Sequence, residues 1–141
     1  MKVDVIIPTY KPEKEFAELI HRLQQQTYAI RKIIIINTET GISRKSLETE
    51  PYPIEVIHIK PKDLYHGGTR NMGASISKAD IVLYITQDAM PADEHLIEEF
   101  IKVFEAHSDI GVAYGRQLPK NDCNIIERFT RRFNYPEKSR I

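Results

Sequence analysis

Three tripeptides in this sequence could do chemistry together if a fold delivered them to one edge: Pro8-Thr9-Tyr10, Asn37-Thr38-Glu39 and Thr86-Gln87-Asp88. Each lies at the end of an apolar run, respectively Val3 to Ile7, Ile33 to Ile36 and Ile81 to Ile85. In an open α/β sheet, ligands bind in the crevice beyond the carboxyl ends of the strands. A single carboxylate at such an end, Asp88, suits a divalent cation or the phosphates that a cation bridges. An ordinary turn explains Asp88 and Pro91 individually just as well, so the three ends carry weight as a set. His66-Gly67-Gly68-Thr69-Arg70-Asn71 adds a fourth candidate. Glycines before a helix leave backbone N–H groups open to a phosphate, and Arg70 supplies a planar cation; a tight turn with a surface Arg is the plain alternative.

Other chemistries find little support. The chain has no G-x-G-x-x-G and no G-x-x-x-x-G-K-[ST], which argues against a dinucleotide fingerprint and a P-loop. His21, His58, His66, His95 and His107 show no metal-ligand spacing, and only His66, beside the Gly-Gly pair, is kept as a candidate. No nucleophile elbow is present. Cys123 is the single cysteine, which excludes an internal disulfide and a thiolate zinc site and fits a reducing compartment. Twenty Lys plus Arg balance twenty Asp plus Glu, so no net field draws nucleic acid. No signal-peptide core and no run near the ~18 apolar residues of a membrane span occur, which points to a soluble, cytoplasmic protein.

The elements that must position these residues follow from periodicity. Val3 to Ile7 reads as a strand broken only by Asp4, and from Glu13 onward Phe16, Leu19, Ile20 and Leu23 fall at helical spacing with Pro12 in the first turn. Ile33 to Ile36 is β-branched without alternation, as expected of a strand covered on both faces. Residues 37 to 53 are polar and turn-rich, and Ile54 to Ile59 is a third strand closed by Pro61. Thr69 to Ser77 has a weak helical pattern, and Ile81 to Ile85 reads as a strand buried on both faces. Asp93 is the expected N-cap of a helix with the stripe Leu96, Ile97, Phe100, Val103 and Phe104, and Ile110 to Ala113 is a further candidate strand. This order predicts an α/β fold, a three-layer Rossmann-like, mostly parallel sheet with right-handed crossovers.

At 141 residues one domain with a proper core is expected. Residues 1–118 form that core, and 119–141 differ in character. From Arg116 to Ile141 seven basic residues face three acids, and Ile125, Ile126, Phe129 and Phe133 make an apolar stripe at helical spacing. Such an element suits a membrane or acceptor surface; a helix whose packing partner lies outside the sequence is the favoured alternative.

The blocks "VDVIIPTYKP", "IIIINTETG" and "HGGTRNMGASISKADIVLYITQDAMP" resemble, in order and spacing, the family 2 glycosyltransferases with a GT-A fold, over about Lys2 to Gly115. The resemblance implies transfer of a sugar from a nucleoside diphosphate donor with inversion, assisted by Mg²⁺ or Mn²⁺. It implies that Pro8, Thr9 and Tyr10 lie against the nucleoside, that Asn37 or Glu39 takes the place of an acid contacting the base, and that His66, Arg70 and Asn71 lie near the diphosphate. The family's D-x-D corresponds to Thr86-Gln87-Asp88, whose first acid is absent, leaving Asp88 as metal ligand. Mg²⁺ is commonly held by one or two carboxylates plus substrate phosphates, so one acid is chemically sufficient.

The T-Q-D-A-x-P variant is similar to rhamnosyltransferase-like members, which implies dTDP-L-rhamnose, or otherwise a UDP-sugar, as donor and a glycan or lipid-linked acceptor. The implied location is the cytoplasm, on the inner face of the cell membrane if peripheral. An inverting transferase also needs a general base. In this family that acid follows the donor site, which places it beyond Ile141 and makes this chain a C-terminally incomplete, donor-binding portion, inactive alone. The competing reading is a non-catalytic α/β nucleotide-binding or signalling module, although Asp4 lies too early in its strand to join Asp88 in an acid cluster.

Overall fold

The computed structural model describes residues 1–40, 53–120 and 122–138. Most of the polar stretch expected over 37 to 53, and Arg140, lie outside the described residues. The chain divides into two compact units, Met1–Lys102 and Val103–Ile141.

In the first unit, β1 (Val3–Tyr10), β2 (Lys32–Thr38), β3 (Ile54–Ile59) and β4 (Ile81–Tyr84) form one sheet in the order β3-β2-β1-β4. Every pairing is parallel: Ile6 stands opposite Ile34 and Tyr84, and Asn37 opposite His58. Between β1 and β2 runs α1 (Glu15–Gln24), between β3 and β4 runs α2 (His66–Ile76), and α3 (Leu96–Ala106) follows β4. Parallel strands need long crossovers, and the helices that supply them cover the sheet.

The unalternating isoleucines explain both layers. Val5, Ile7, Ile33 and Ile35 pack with Phe16, Leu19, Ile20 and Leu23 of α1 and Ile97 and Ile101 of α3. Ile6, Ile34, Ile36 and Ile59 form the opposite core with Ile57, Ile76 and Val82. There α2 comes so close that a Cβ on Gly73 would stand 2.6 Å from Ile6 Cγ2, so glycine is what lets helix and sheet meet.

At the amino edge of the sheet a charge is sealed in. Asp4 is fully buried; its Oδ2 accepts from Arg31 Nη2 and, at 2.6 Å, from Ser77 Oγ just beyond α2, while its Oδ1 has no partner among the described residues. This cluster ties β1, the approach to β2 and the exit of α2 together.

Several local expectations change. Pro12 precedes α1, which starts at Glu15. The pair Gly67-Gly68 is not a turn before the helix; both residues lie in the first turn of α2. β4 is a half-buried strand at the end of the sheet order, with Tyr84 42% exposed, because among the described strands only β1 pairs with it. Ile110 to Ala113 forms no strand, and Val112 is 84% exposed.

Within the second unit, α4 (Ile125–Asn134) is capped by Asn124, whose Oδ1 accepts from the N–H of Glu127 at 2.8 Å. Its expected apolar stripe is present and uncovered within this unit, with Ile125, Ile126, Phe129 and Phe133 all exposed and the two phenyl rings stacked at 6.2 Å. No helix among the described residues is long and apolar enough to cross a membrane.

Candidate functional site at the carboxyl edge

Parallel pairing turns the N–H and C=O of alternate β1 residues towards β4: the carbonyl of Lys2 accepts from Ile81 and that of Ile6 from Ile85. Pro8 is the next residue on that side and has no N–H to donate, so the ladder stops there. β4 ends at Tyr84 and turns, closed by Ala89 N–H to Thr86 O at 3.1 Å. Tyr10, two residues past Pro8, still presents both backbone groups to the same side. The Gln87 side chain takes them: its Oε1 accepts from Tyr10 N–H at 2.8 Å and its Nε2 donates to Tyr10 O at 3.1 Å. The acid turn is therefore fastened to the end of β1.

Asp88 follows immediately. It is exposed, and its carboxylate has no hydrogen bond or ion pair among the described residues. Thr86 is exposed as well. Beyond the turn, Arg22 Nη1 donates to Pro91 O at 3.0 Å, Gln26 Nε2 donates to Asp93 O at 2.9 Å, and Gln26 Oε1 accepts from Ile97 N–H at 3.1 Å. The expected N-cap, Asp93, accepts instead from His95 N–H, one residue before α3 begins, while Gln26 serves the helix itself. Around the first turn of α3, hydrogen bonds from Lys102, His95 and Thr27 hold the Glu98 carboxyl down at about 2, and the bond to Glu98 raises His95 above its ordinary value. The acid turn is thus anchored on both sides, and its one free carboxylate is Asp88.

At the ends of β1, β2 and β3 a polar ladder crosses three strands. Thr9 Oγ1 donates to Asn37 Oδ1 at 2.9 Å, and Asn37 Nδ2 lies 3.2 Å from His58 Nδ1. Asn37, expected to contact a base, is nearly buried and both ends of its amide are engaged by the protein. His58, not kept as a candidate in the sequence, completes the ladder; the signal that finds it is the register placing it opposite Asn37. Glu39 lies just past β2, where its N–H donates to Ile59 O at 2.9 Å. Tyr10 is half-exposed, with Lys11 Nζ 5.4 Å from its ring centroid and Lys11 at φ 46, a left-handed conformation that reverses the chain after β1.

On the other side, α2 starts at the same edge. The N–H groups of His66, Gly67 and Gly68 precede the first helical bond, Thr69 N–H to Tyr65 O at 3.0 Å, so the free donors expected from the glycine pair remain although the glycines are helical. Arg70 Nη1 donates to His66 O at 3.2 Å, and Tyr84 Oη donates to Arg70 O at 3.3 Å, which ties α2 to the end of β4. Asn71, the next residue, is exposed. Tyr65 and Tyr84, which sequence reasoning left out, are thereby part of the edge. The Tyr65 ring crosses Gly68 so closely that a Cβ there would meet it at 2.1 Å.

A metal site built wholly from protein is absent among the described residues, where no three His, Cys, Asp or Glu side chains group to hold an ion. One free carboxylate at the carboxyl edge of the sheet fits the other kind, in which substrate phosphates complete the coordination.

The comparisons agree with this architecture. The family described as Glycosyl transferase family 2 matches residues 4–141. The O-antigen chain rhamnosyltransferase RfbN of Salmonella typhimurium is 36% identical over 99% of this chain and 44% of its own length. WbaN of Salmonella anatum, another O-antigen chain rhamnosyltransferase, is 32% identical over 97% of this chain and 44% of its own length. This chain thus spans less than half the length of those relatives. Among solved structures, S. aureus TarS 1-349 in complex with UDP-GlcNAc superposes with a TM-score of 0.67 at 18% identity, covering 85% of this chain and 37% of that one. That likeness concerns the fold, which is of the GT-A type with a parallel sheet.

Proposed function

Since this chain belongs to glycosyl transferase family 2, we propose that its carboxyl edge binds a nucleoside diphosphate sugar for inverting transfer of the sugar to a glycan or lipid-linked acceptor. The observation that carries the reading is Asp88: a free, exposed carboxylate held beside Tyr10 by the Gln87 bonds, at the edge where the free N–H groups of α2 also lie. The nucleoside rests against Tyr10, over the Thr9-Asn37-His58 ladder. The diphosphate faces the first turn of α2, with Arg70 and Asn71 in reach. Glu39 is the remaining candidate for a base contact.

Asp88 would hold Mg²⁺ or Mn²⁺ together with the donor's phosphates, and the ion would neutralise charge developing on the departing diphosphate. The chain's own contribution is to fix Asp88, to point backbone donors at the phosphates and to orient the nucleoside. L-rhamnose is the sugar best supported, because two relatives are named as O-antigen chain rhamnosyltransferases, and dTDP-L-rhamnose is accordingly the proposed donor. The second unit is assigned to the acceptor side. Its exposed Phe129 and Phe133, with Arg131 and Arg132 on the same helix, suit a lipid-linked acceptor at the cytoplasmic surface of a membrane.

Calorimetric titration of the chain with dTDP and UDP, with and without Mn²⁺, tests this. Binding strengthened by Mn²⁺, with the gain lost in Asp88→Ala, is expected. Binding indifferent to both metal and substitution would instead identify a nucleotide-binding module without transfer chemistry.

A further inference from the structure

We propose that Gln87 is a positioning residue that couples the nucleoside end of the crevice to its metal end, acting through Tyr10 and Asp88 without touching the donor. The inference rests on the donor-binding reading above and adds a residue role to it. Three observations converge. Pro8 ends the β1–β4 ladder, so no further backbone pairing fixes the distance between Tyr10 and the acid turn. The primary amide of Gln87 satisfies both the N–H and the C=O of Tyr10, at 2.8 and 3.1 Å, as a neighbouring strand would. The next residue is Asp88, whose carboxylate has no partner among the described residues to hold it in place.

An amide is the functional group this position requires. A carboxylate of the same length accepts from Tyr10 N–H but sets a negative oxygen against Tyr10 O; a methionine keeps the volume and makes neither bond. With the pair intact, the Asp88 carboxylate and the Tyr10 ring move as one body, so a donor bridging them meets both at their working separation. With the pair broken, the turn keeps its bond from Ile85 N–H to Ile6 O and its far anchors at Pro91 and Asp93, but loses its tie to Tyr10. Residues that orient a metal ligand without touching the metal typically cost about 10–100-fold in metal affinity when removed.

The experiment compares wild type, Gln87→Met, Gln87→Glu and Asp88→Ala in the whole chain, reading dTDP affinity with and without Mn²⁺ and hydrogen exchange of the Tyr10 amide. In Gln87→Met, Tyr10 exchange speeds up and the Mn²⁺-dependent gain falls by about tenfold or more, while metal-free dTDP affinity stays within about threefold. In Gln87→Glu the one retained bond is opposed by repulsion between the carboxylate and Tyr10 O, so Tyr10 exchange is faster than in wild type there too. An equal loss with and without Mn²⁺ would show that Gln87 contacts the nucleotide directly and overturn the positioning role; so would an undiminished Mn²⁺ gain. Unchanged Tyr10 protection would overturn the clasp itself, whatever the nucleotide does. If wild type shows no Mn²⁺ gain, or Asp88→Ala retains it, the donor-binding reading fails, and the coupling falls with it even where the exchange data uphold the Gln87–Tyr10 pair.

Discussion

Two aspartates mark opposite edges of one sheet and are treated in opposite ways. Asp4, at the amino edge, is fully buried and bonded to Arg31 and Ser77. Asp88, at the carboxyl edge, is exposed and has no partner among the described residues, although the turn beneath it is fastened from both sides. The first carboxylate is tied to the protein through Oδ2 and closed off from anything else, and the second is open to an outside partner. A buried ion pair seldom adds net stability over apolar packing, yet losing one partner is severe because the other charge stays behind. An exposed, unpaired carboxylate is nearly neutral to the fold, so what it does must be sought in binding.

The largest effect expected from this contrast is at the amino edge. Arg31→Ala should destabilise the chain by about 3 kcal/mol or more in urea denaturation, because Asp4 would retain only Ser77. Asp4→Leu combined with Arg31→Met should recover much of that loss; failure to recover would mean that the pair contributes geometry that apolar side chains cannot replace. Next comes α2, which spans the two edges. Gly73→Ala forces a methyl against Ile6 and should cost about 1–3 kcal/mol, whereas Gly68→Ala meets only the exposed Tyr65 ring, which can swing aside, and should cost far less.

At the carboxyl edge Asp88→Ala should change unfolding free energy by less than about 0.5 kcal/mol while removing the Mn²⁺-dependent gain in dTDP binding. A large stability loss would erase the distinction between the two edges. Smallest is the pH effect of His95. The hydrogen bond to Glu98 raises its folded value above the ordinary 6.5, so its stabilising share is fully present below 6.5 and disappears as pH climbs through that raised value. Melting temperature should therefore fall slightly between about pH 6 and pH 8 relative to His95→Gln, and the difference should shrink in high salt because the pair is exposed.

Much of the sheet was legible because it needs no long-range information: four isoleucines in a row announce a strand covered on both faces, and Phe16, Leu19, Ile20 and Leu23 announce the helix that covers one of them. The candidate edge was legible as a set of strand ends. What stayed hidden depends on register. Nothing local in the sequence tells that His58 will stand opposite Asn37, that Gln87 will reach the backbone of Tyr10, or that Gln26 rather than Asp93 will serve the start of α3. Ile110 to Ala113 has strand composition but pairs with none of the described strands, and composition cannot supply a neighbour. Gly67 and Gly68 read as punctuation, yet the first turn of a helix tolerates glycine where a ring such as that of Tyr65 must lie close.

The Asp4 cluster has a kinetic consequence. Its two partners stand 27 and 73 residues along the chain, and the longer closure costs on the order of 0.9 kcal/mol more entropy. The Arg31 contact should thus form while only β1, α1 and β2 have come together, and the Ser77 contact should arrive when α2 docks. Substitution at Arg31 should slow refolding, and substitution at Ser77 should chiefly hasten unfolding, dividing one small cluster between an early and a late event in assembly.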